Sequence, residues 1–164
     1  MKTAKAGYKR DLSLRHAVAT LAYRAAKVLR DAPPEFRSFR AGEGSRSAGE
    51  ILAHMGDLFD WTLSQAQGKQ RWRNSKVRPW SEDVARFFSA LRAFDEYLAS
   101  RAKLHAAPEK MFQGAVADAL THTGQIAMLR RLAGARVRGE NYYVAKIEVG
   151  RIGLDQKASV MEFD

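Results

Sequence analysis

The strongest constraint on the fold is the spacing of apolar residues in the stretch that ends at Gly134. They recur there at steps of three and four residues, which keeps them on one face of an α-helix. The residues of this face are Phe112, Val116, Ala119, Leu120, Ile126 and Ala127. Glycine commonly follows the last turn of a helix, as Gly134 does here. We therefore predict an amphipathic helix from about Phe112 to Ala133.

Three earlier stretches have the same spacing, so the predicted fold class is all-α. They run over about 12–30, 47–67 and 81–103. The first is ended by Pro33 and Pro34, because proline cannot continue a helix. The second opens with the capping-box spacing of Ser47 and Glu50, and the third with Ser81 as its expected N-cap. The predicted core residues are Leu14, Val18, Leu21, Ala25 and Val28, then Ile51, Met55, Leu58, Phe59 and Thr62, then Val84, Phe87, Phe88, Leu91, Phe94 and Leu98.

The region after Gly139 differs from the helical part. Apolar and polar residues alternate over 143–149, which is the period of an extended strand. We expect a short extended C-terminal tail over 140–164 that lies along the helices. A length of 164 residues and a hydrophobic content of 46% suffice for one packed core. The chain is therefore predicted to be a single domain, 1–164, with a helical core over about 12–134.

Composition restricts the classes of function. The chain contains no cysteine, which excludes thiolate metal ligands, a cysteine nucleophile and disulfides. It has no apolar run long enough for a bilayer, and residues 1–10 are polar and basic without an apolar signal core, so we expect a cytoplasmic protein with no membrane partner. The net charge of +10 would attract anionic substrates or nucleic acid. A basic surface without a dedicated partner is the simpler alternative.

The connection Gly68–Trp80 combines five cations with two tryptophans. That composition is typical of surfaces that neutralise phosphates and stack on bases. The alternative is a solvated connection whose tryptophans pack back on the helices, and we favour it because helix connections usually lie on the surface. No helix-turn-helix, zinc-finger or RNA-binding signature supports nucleic-acid binding, which stays a secondary hypothesis.

Asp118 and His122 are the residues that indicate chemistry. Side chains four apart on a helix lie about 5–6 Å apart at Cβ, so an acid and an imidazole can share one metal ion. A tight site needs a third ligand from another helix, and His54 is the best candidate. From spacing alone, a structural role for His54 and a hydrogen bond between Asp118 and His122 remain open. No ligand role is assigned to His16 or His105.

Two motifs carry a resemblance to a known family. They are Ala48-Gly-Glu-Ile-Leu-Ala-His54 on the second helix and Ala117-Asp-Ala-Leu-Thr-His-Thr-Gly-Gln125 on the last. With the four amphipathic helices between Leu12 and Gly134, they resemble the DinB-like (YfiT-like) metalloenzyme superfamily. The resemblance implies a four-helix bundle in up-down-down-up order. It also implies one divalent metal, usually zinc or nickel, near one end of the bundle.

The resemblance also implies a ligand set. In that family one histidine on the second helix and two histidines four apart on the last helix bind the metal, which corresponds to His54, residue 118 and His122. This chain has Asp118 in the middle position, where related mycothiol-dependent isomerases also use a carboxylate. Gln125 is expected to orient a ligand as a hydrogen-bond donor. Asp57 is expected to be an exposed acid, or else a second such partner.

Three protein ligands leave one position open, as in catalytic zinc sites. The resemblance therefore implies a metal-dependent enzyme, such as a thiol-dependent S-transferase or a hydrolase, that acts on a small molecule. Its thiol would come from a low-molecular-weight cosubstrate. The resemblance further implies a homodimer. The alternatives are a metal-free structural or interaction protein and a basic nucleic-acid-binding protein.

Overall fold

The computed structural model describes residues 12–164, so the basic segment 1–10 lies outside the described residues. The described part is mostly helical, as predicted. Its elements are α1 (Leu12–Leu29), a 3-10 turn (Pro34–Ser38), α2 (Ala48–Ala66), α3 (Trp80–Ala99), α4 (Pro108–Met111), a π-helical segment (Phe112–Val116), α5 (Ala117–Leu132), β1 (Gly139–Glu140) and β2 (Glu162–Phe163). β1 and β2 pair antiparallel, with Gly139 opposite Phe163.

The start of α2 is a complete capping box, as predicted. Ser47 Oγ accepts a hydrogen bond from the backbone N–H of Glu50 at 3.2 Å. Glu50 Oε2 accepts one from the backbone N–H of Ser47 at 2.7 Å. Two of the backbone donors that a helix start leaves unpaired are thereby satisfied.

The prediction for α3 was wrong at both ends. The helix begins at Trp80 after Pro79, so Ser81 lies inside the first turn and is not the N-cap. The carboxylate of Asp83 instead accepts a hydrogen bond from the backbone N–H of Arg78 at 2.8 Å. The helix ends at Ala99, short of Lys103, because Ser100 Oγ accepts from the backbone N–H of Ala102 and offers the chain a turn.

The core is one continuous cluster to which α1, α2, α3 and α5 all contribute. Helix α2 packs on α3 and α5, and α1 packs on α3 and α5. Every core residue predicted on the first three helices is buried. At its centre the ring of Phe59 lies 6.0 Å from the rings of Phe87 and Phe94. Within residues 12–164, no helix combines the length and the apolar character needed to cross a membrane.

Phe112 is the exception among the predicted core residues of the last helix. Its side chain is 45% exposed, whereas Val116, Ala119 and Ile126 are buried. The cause is the π-helical segment at its position, whose wider turn breaks the spacing of 3.6 residues on which the prediction rested. The sequence spacing therefore fails at the start of this segment and holds again from Val116 onward.

The tail lies along the helices, but the strand predicted over 143–149 is absent. The backbone N–H groups of Val144 and Ala145 close turns onto Asn141 and Tyr142. A strand needs a paired partner, and in the described residues pairing is limited to β1 and β2. The tail is held instead by Glu140, which is 5% exposed.

Candidate metal centre

The structure brings together all three residues that the sequence singled out as ligands. His54 lies on α2, and Asp118 and His122 lie one turn apart on the facing side of α5. His122 Nε2 is 3.4 Å from Asp118 Oδ1, and His54 Nε2 is 3.5 Å from Asp118 Oδ2. Each residue offers a ligand atom, and these atoms lie within 4.8 Å of one another. The two helices therefore present two imidazoles and a carboxylate to one point.

These separations fit a metal ion better than a hydrogen-bonded group. Good hydrogen bonds from nitrogen to oxygen span about 2.7–3.2 Å, which is shorter than either imidazole-carboxylate distance. Two ligand atoms on a tetrahedral zinc ion, with bonds of about 2.0–2.2 Å, lie about 3.4 Å apart. The observed 3.4 and 3.5 Å match that spacing. The group of His54, Asp118 and His122 can therefore hold a metal ion.

Gln125 determines how His122 faces this point. Its Oε1 atom lies 2.7 Å from His122 Nδ1. Because Oε1 can only accept, Nδ1 carries the proton and Nε2 is left with a free lone pair towards Asp118. Metal-bound histidines commonly donate their second N–H in this way. Gln125 thus contacts His122 as an acceptor, whereas the sequence analysis led us to expect a donor.

Electrostatics keep His54 in the form that binds metals. Burial lowers the pKa of His54, the nearby His122 and Arg46 lower it further, and Asp118 opposes the effect. The imidazole of His54 is therefore neutral at neutral pH. A neutral imidazole binds a metal well and forms no ion pair with Asp118.

An open cleft lies beside the three residues. Its volume is about 710 Å³, within the range of small-molecule sites. The lining residues are Leu58, Trp61, Trp72, Gln113, Gly114, Ala117, Asp118 and Thr121. Asp118, with a side chain 44% exposed, is thus shared by the cleft and the centre. A small molecule in the cleft would lie next to a bound metal.

Asp57 is neither an exposed acid nor a partner of a ligand, so both expectations for it were wrong. It is 4% exposed and pairs with Arg86 Nη2 at 2.6 Å. Its carboxylate also accepts hydrogen bonds from the backbone N–H and Oγ of Ser75, at 2.9 and 2.7 Å. Asp57 therefore anchors the basic connection to α2. The other two histidines, His16 and His105, lie outside the group.

The two tryptophans of the basic connection pack back on the helices, as favoured from the sequence. Trp80 is buried, with its ring 5.2 Å from that of Phe36. Trp72 is 44% exposed, and its ring lies 5.7 Å from His54 and 6.2 Å from Trp61. Trp72 is the residue of the site that the sequence analysis missed, because nothing in a loop sequence specifies which helix the ring will contact.

Comparisons with protein-family models, with curated proteins and with solved structures gave no match. The chemistry of this chain must therefore be argued from its own residues. The group on α2 and α5, with the cleft beside it, is the candidate site.

Proposed function

We propose that this chain is a divalent-metal-dependent enzyme that holds zinc or nickel between His54, Asp118 and His122. One observation carries the proposal: ligand atoms from two helices converge within 4.8 Å beside an open cleft. The proposal includes a DinB-like four-helix bundle in up-down-down-up order, made of α1, α2, α3 and α5. The packing of α1 and α2 on both α3 and α5 supports that arrangement.

Each residue of the group has a distinct part in the proposal. His54 and His122 bind through Nε2, and Asp118 binds through its carboxylate. Gln125 holds His122 by its Nδ1–H, 2.7 Å away. A bound divalent ion supplies a Lewis acid that lowers the pKa of a water or thiol. Three protein ligands would leave one position open for water or substrate, and Asp118 belongs both to this group and to the lining of the cleft.

The proposed reaction class is transfer to a thiol, or hydrolysis, of a small molecule. Because the chain has no cysteine, a nucleophilic thiol must come from a low-molecular-weight cosubstrate. The net charge of +10 favours the approach of an anionic thiol or substrate. A homodimer is part of the same proposal.

The test is the metal content of untagged protein purified without chelator, measured by elemental analysis. We expect about one zinc or nickel ion per chain in the wild type and none in His122→Ala. His16→Ala is the matched control, since it removes an exposed histidine outside the group. Circular dichroism checks that all three proteins are folded.

A wild type that contains no metal and takes up no added zinc would refute the proposal. The alternative hypothesis, a metal-free structural or interaction protein, would then be favoured. Metal retained by His122→Ala at the wild-type level would also refute it, because binding would then lie elsewhere.

A further inference from the structure

Four aromatic rings run from the metal centre into the cleft. The ring of His122 lies 5.0 Å from that of His54, which lies 5.7 Å from Trp72, which lies 6.2 Å from Trp61. The tryptophan rings are inclined at 78° to each other. Two nearly perpendicular rings form a corner in which a third ring can stack on one and meet the other edge-on, the two arrangements that aromatic pairs prefer. The cleft therefore has an aromatic corner of Trp61 and Trp72, and Trp72 connects it to His54 of the metal centre.

The rest of the lining comes mainly from the π-helical segment and α5, and apart from Gln113 its residues are short. Gly114, Ala117, Asp118 and Thr121 follow one another at steps of three, one and three residues, so they share one side of the helix. A Cβ atom added at Gly114 would meet the ring of Trp61 at 3.8 Å, an ordinary contact distance. A longer side chain at this position would fill the space between α5 and Trp61. The glycine therefore leaves room for a flat group.

Trp72 is held in place while part of its ring stays exposed. Its indole N–H donates to Asn74 Oδ1 at 3.0 Å, so the polar edge is satisfied within the connection. The connection itself is fixed to α2, because the backbone N–H of Arg71 donates to Ser64 Oγ at 3.1 Å and Asp57 binds Ser75. A positioned aromatic ring that is 44% exposed can bind a partner with little loss of conformational entropy.

The basic connection that carries Trp72 favours an anion. Arg46 is close enough to His54 to act on it electrostatically. Within residues 12–164, the five cationic side chains of the connection form no ion pair. They are Lys69, Arg71, Arg73, Lys76 and Arg78. Unpaired cations raise the local concentration of anions.

We propose that the substrate of this site is a small anionic molecule with an aromatic ring, which lies between Trp61, Trp72 and Gly114 while its anionic group reaches the metal centre. Only the contact between the anionic group and the metal centre rests on the proposed function. The aromatic part depends on the cleft, so it can be tested with and without metal.

The probes are benzohydroxamate and acetohydroxamate, which share a metal-binding group and differ in the ring. We expect zinc-loaded wild type to bind benzohydroxamate about tenfold more tightly, by calorimetry. Trp72→Ala should lose this preference while its affinity for acetohydroxamate and zinc stays within about twofold. Gly114→Leu should lose it as well. Gly124→Leu should keep it, because Gly124 lies in α5, where an added Cβ atom would have no other atom within 4 Å.

Equal binding of the two probes by the wild type overturns the proposal. A preference for benzohydroxamate that survives in Trp72→Ala also overturns it. If Trp72→Ala fails to fold, a preference that survives in Gly114→Leu overturns it.

Zinc content of the same samples separates this outcome from failure of the proposed function. If no zinc binds, the aromatic contact is tested by the NMR signals of the tryptophan indole N–H groups in the metal-free protein. Benzohydroxamate, but not acetohydroxamate, should shift the signals of Trp61 and Trp72. Trp80 is the internal reference, since it is buried and donates to Leu29 O at 3.4 Å. Absence of a ring-dependent shift overturns the proposal.

Discussion

At the scale of single residues, the contact between Gln125 and His122 makes a testable difference to metal affinity. Gln125→Ala removes the acceptor that fixes the Nδ1–H of His122. Since loss of such a partner typically costs tenfold to a hundredfold in metal affinity, we expect the Kd for zinc to rise by about tenfold or more. Competition with a chromophoric chelator measures it.

Gln70→Ala is the matched control, because it removes the same carboxamide from an exposed position outside the group of His54, Asp118 and His122. An unchanged Kd in Gln125→Ala would contradict the assigned role. Loss of folding would show as a changed circular dichroism spectrum and is therefore distinguished from loss of affinity.

How far the site can be predicted from the sequence depends on where each residue lies. Asp118, His122 and Gln125 are spaced by four and three on one helix, so helical geometry alone places them on one side. Trp72 and Asp57 depend on contacts between elements. The partner of Asp57 in α3, Arg86, is 29 residues away in the chain, and no local spacing records such a pairing.

At the scale of the elements, local rules predicted helices better than their ends. The capping box at Ser47 uses residues three apart and was predicted correctly. The start of α3 was not, because Pro79 and the buried carboxylate of Asp83 determine it together. The π-helical segment before α5 has no signal in residue spacing. It decides that Phe112 faces solvent and that Gly114 lines the cleft.

The capping box also predicts a pH dependence of stability. The hydrogen bond from the Ser47 N–H, and then the contact with Arg40, lower the pKa of Glu50 from its ordinary value of 4.5. The charged carboxylate therefore stabilises the fold above that value, and this contribution is lost as the pH falls through the lowered pKa. Glu50→Gln should destabilise the protein by about 0.5 kcal/mol at pH 7, because glutamine keeps the hydrogen bond but not the charge.

Urea denaturation from pH 7 to pH 3 measures this difference, which should shrink below pH 4.5. Glu43→Gln is the control, because Glu43 is an exposed acid in the turn before α2. A difference that stays constant across the range would contradict the assignment to the charge of Glu50.

At the scale of the whole molecule, α1 connects the other parts. Arg15 binds Asp95 of α3 through two hydrogen bonds of 2.9 and 2.7 Å. Arg130 of α5 donates to the carbonyl oxygens of Val28 and Arg30 at 3.1 and 2.6 Å. These carbonyls belong to the end of α1, whose last turn leaves them without helical partners. Helix α5, which carries Asp118 and His122, is therefore fixed to α1 as well as to α2.

The C-terminal tail is attached to α1 by Glu140, and this attachment gives the last prediction. Glu140 accepts hydrogen bonds from Tyr23 Oη at 2.6 Å and Lys27 Nζ at 2.9 Å. Glu140→Ala leaves the buried hydroxyl of Tyr23 and the half-buried ammonium of Lys27 without this acceptor, although Lys27 keeps Glu162. We therefore expect a loss of about 2 kcal/mol in the free energy of unfolding, measured by urea denaturation. Glu148→Ala, which removes only exposed ion pairs of the tail, should cost clearly less, because solvent screens such pairs. The backbone N–H of Asn141, which donates to Met161 O beside the two strands, should exchange faster in Glu140→Ala alone. Equal effects of the two substitutions would mean that the tail is held by its surface charges and not by the buried carboxylate.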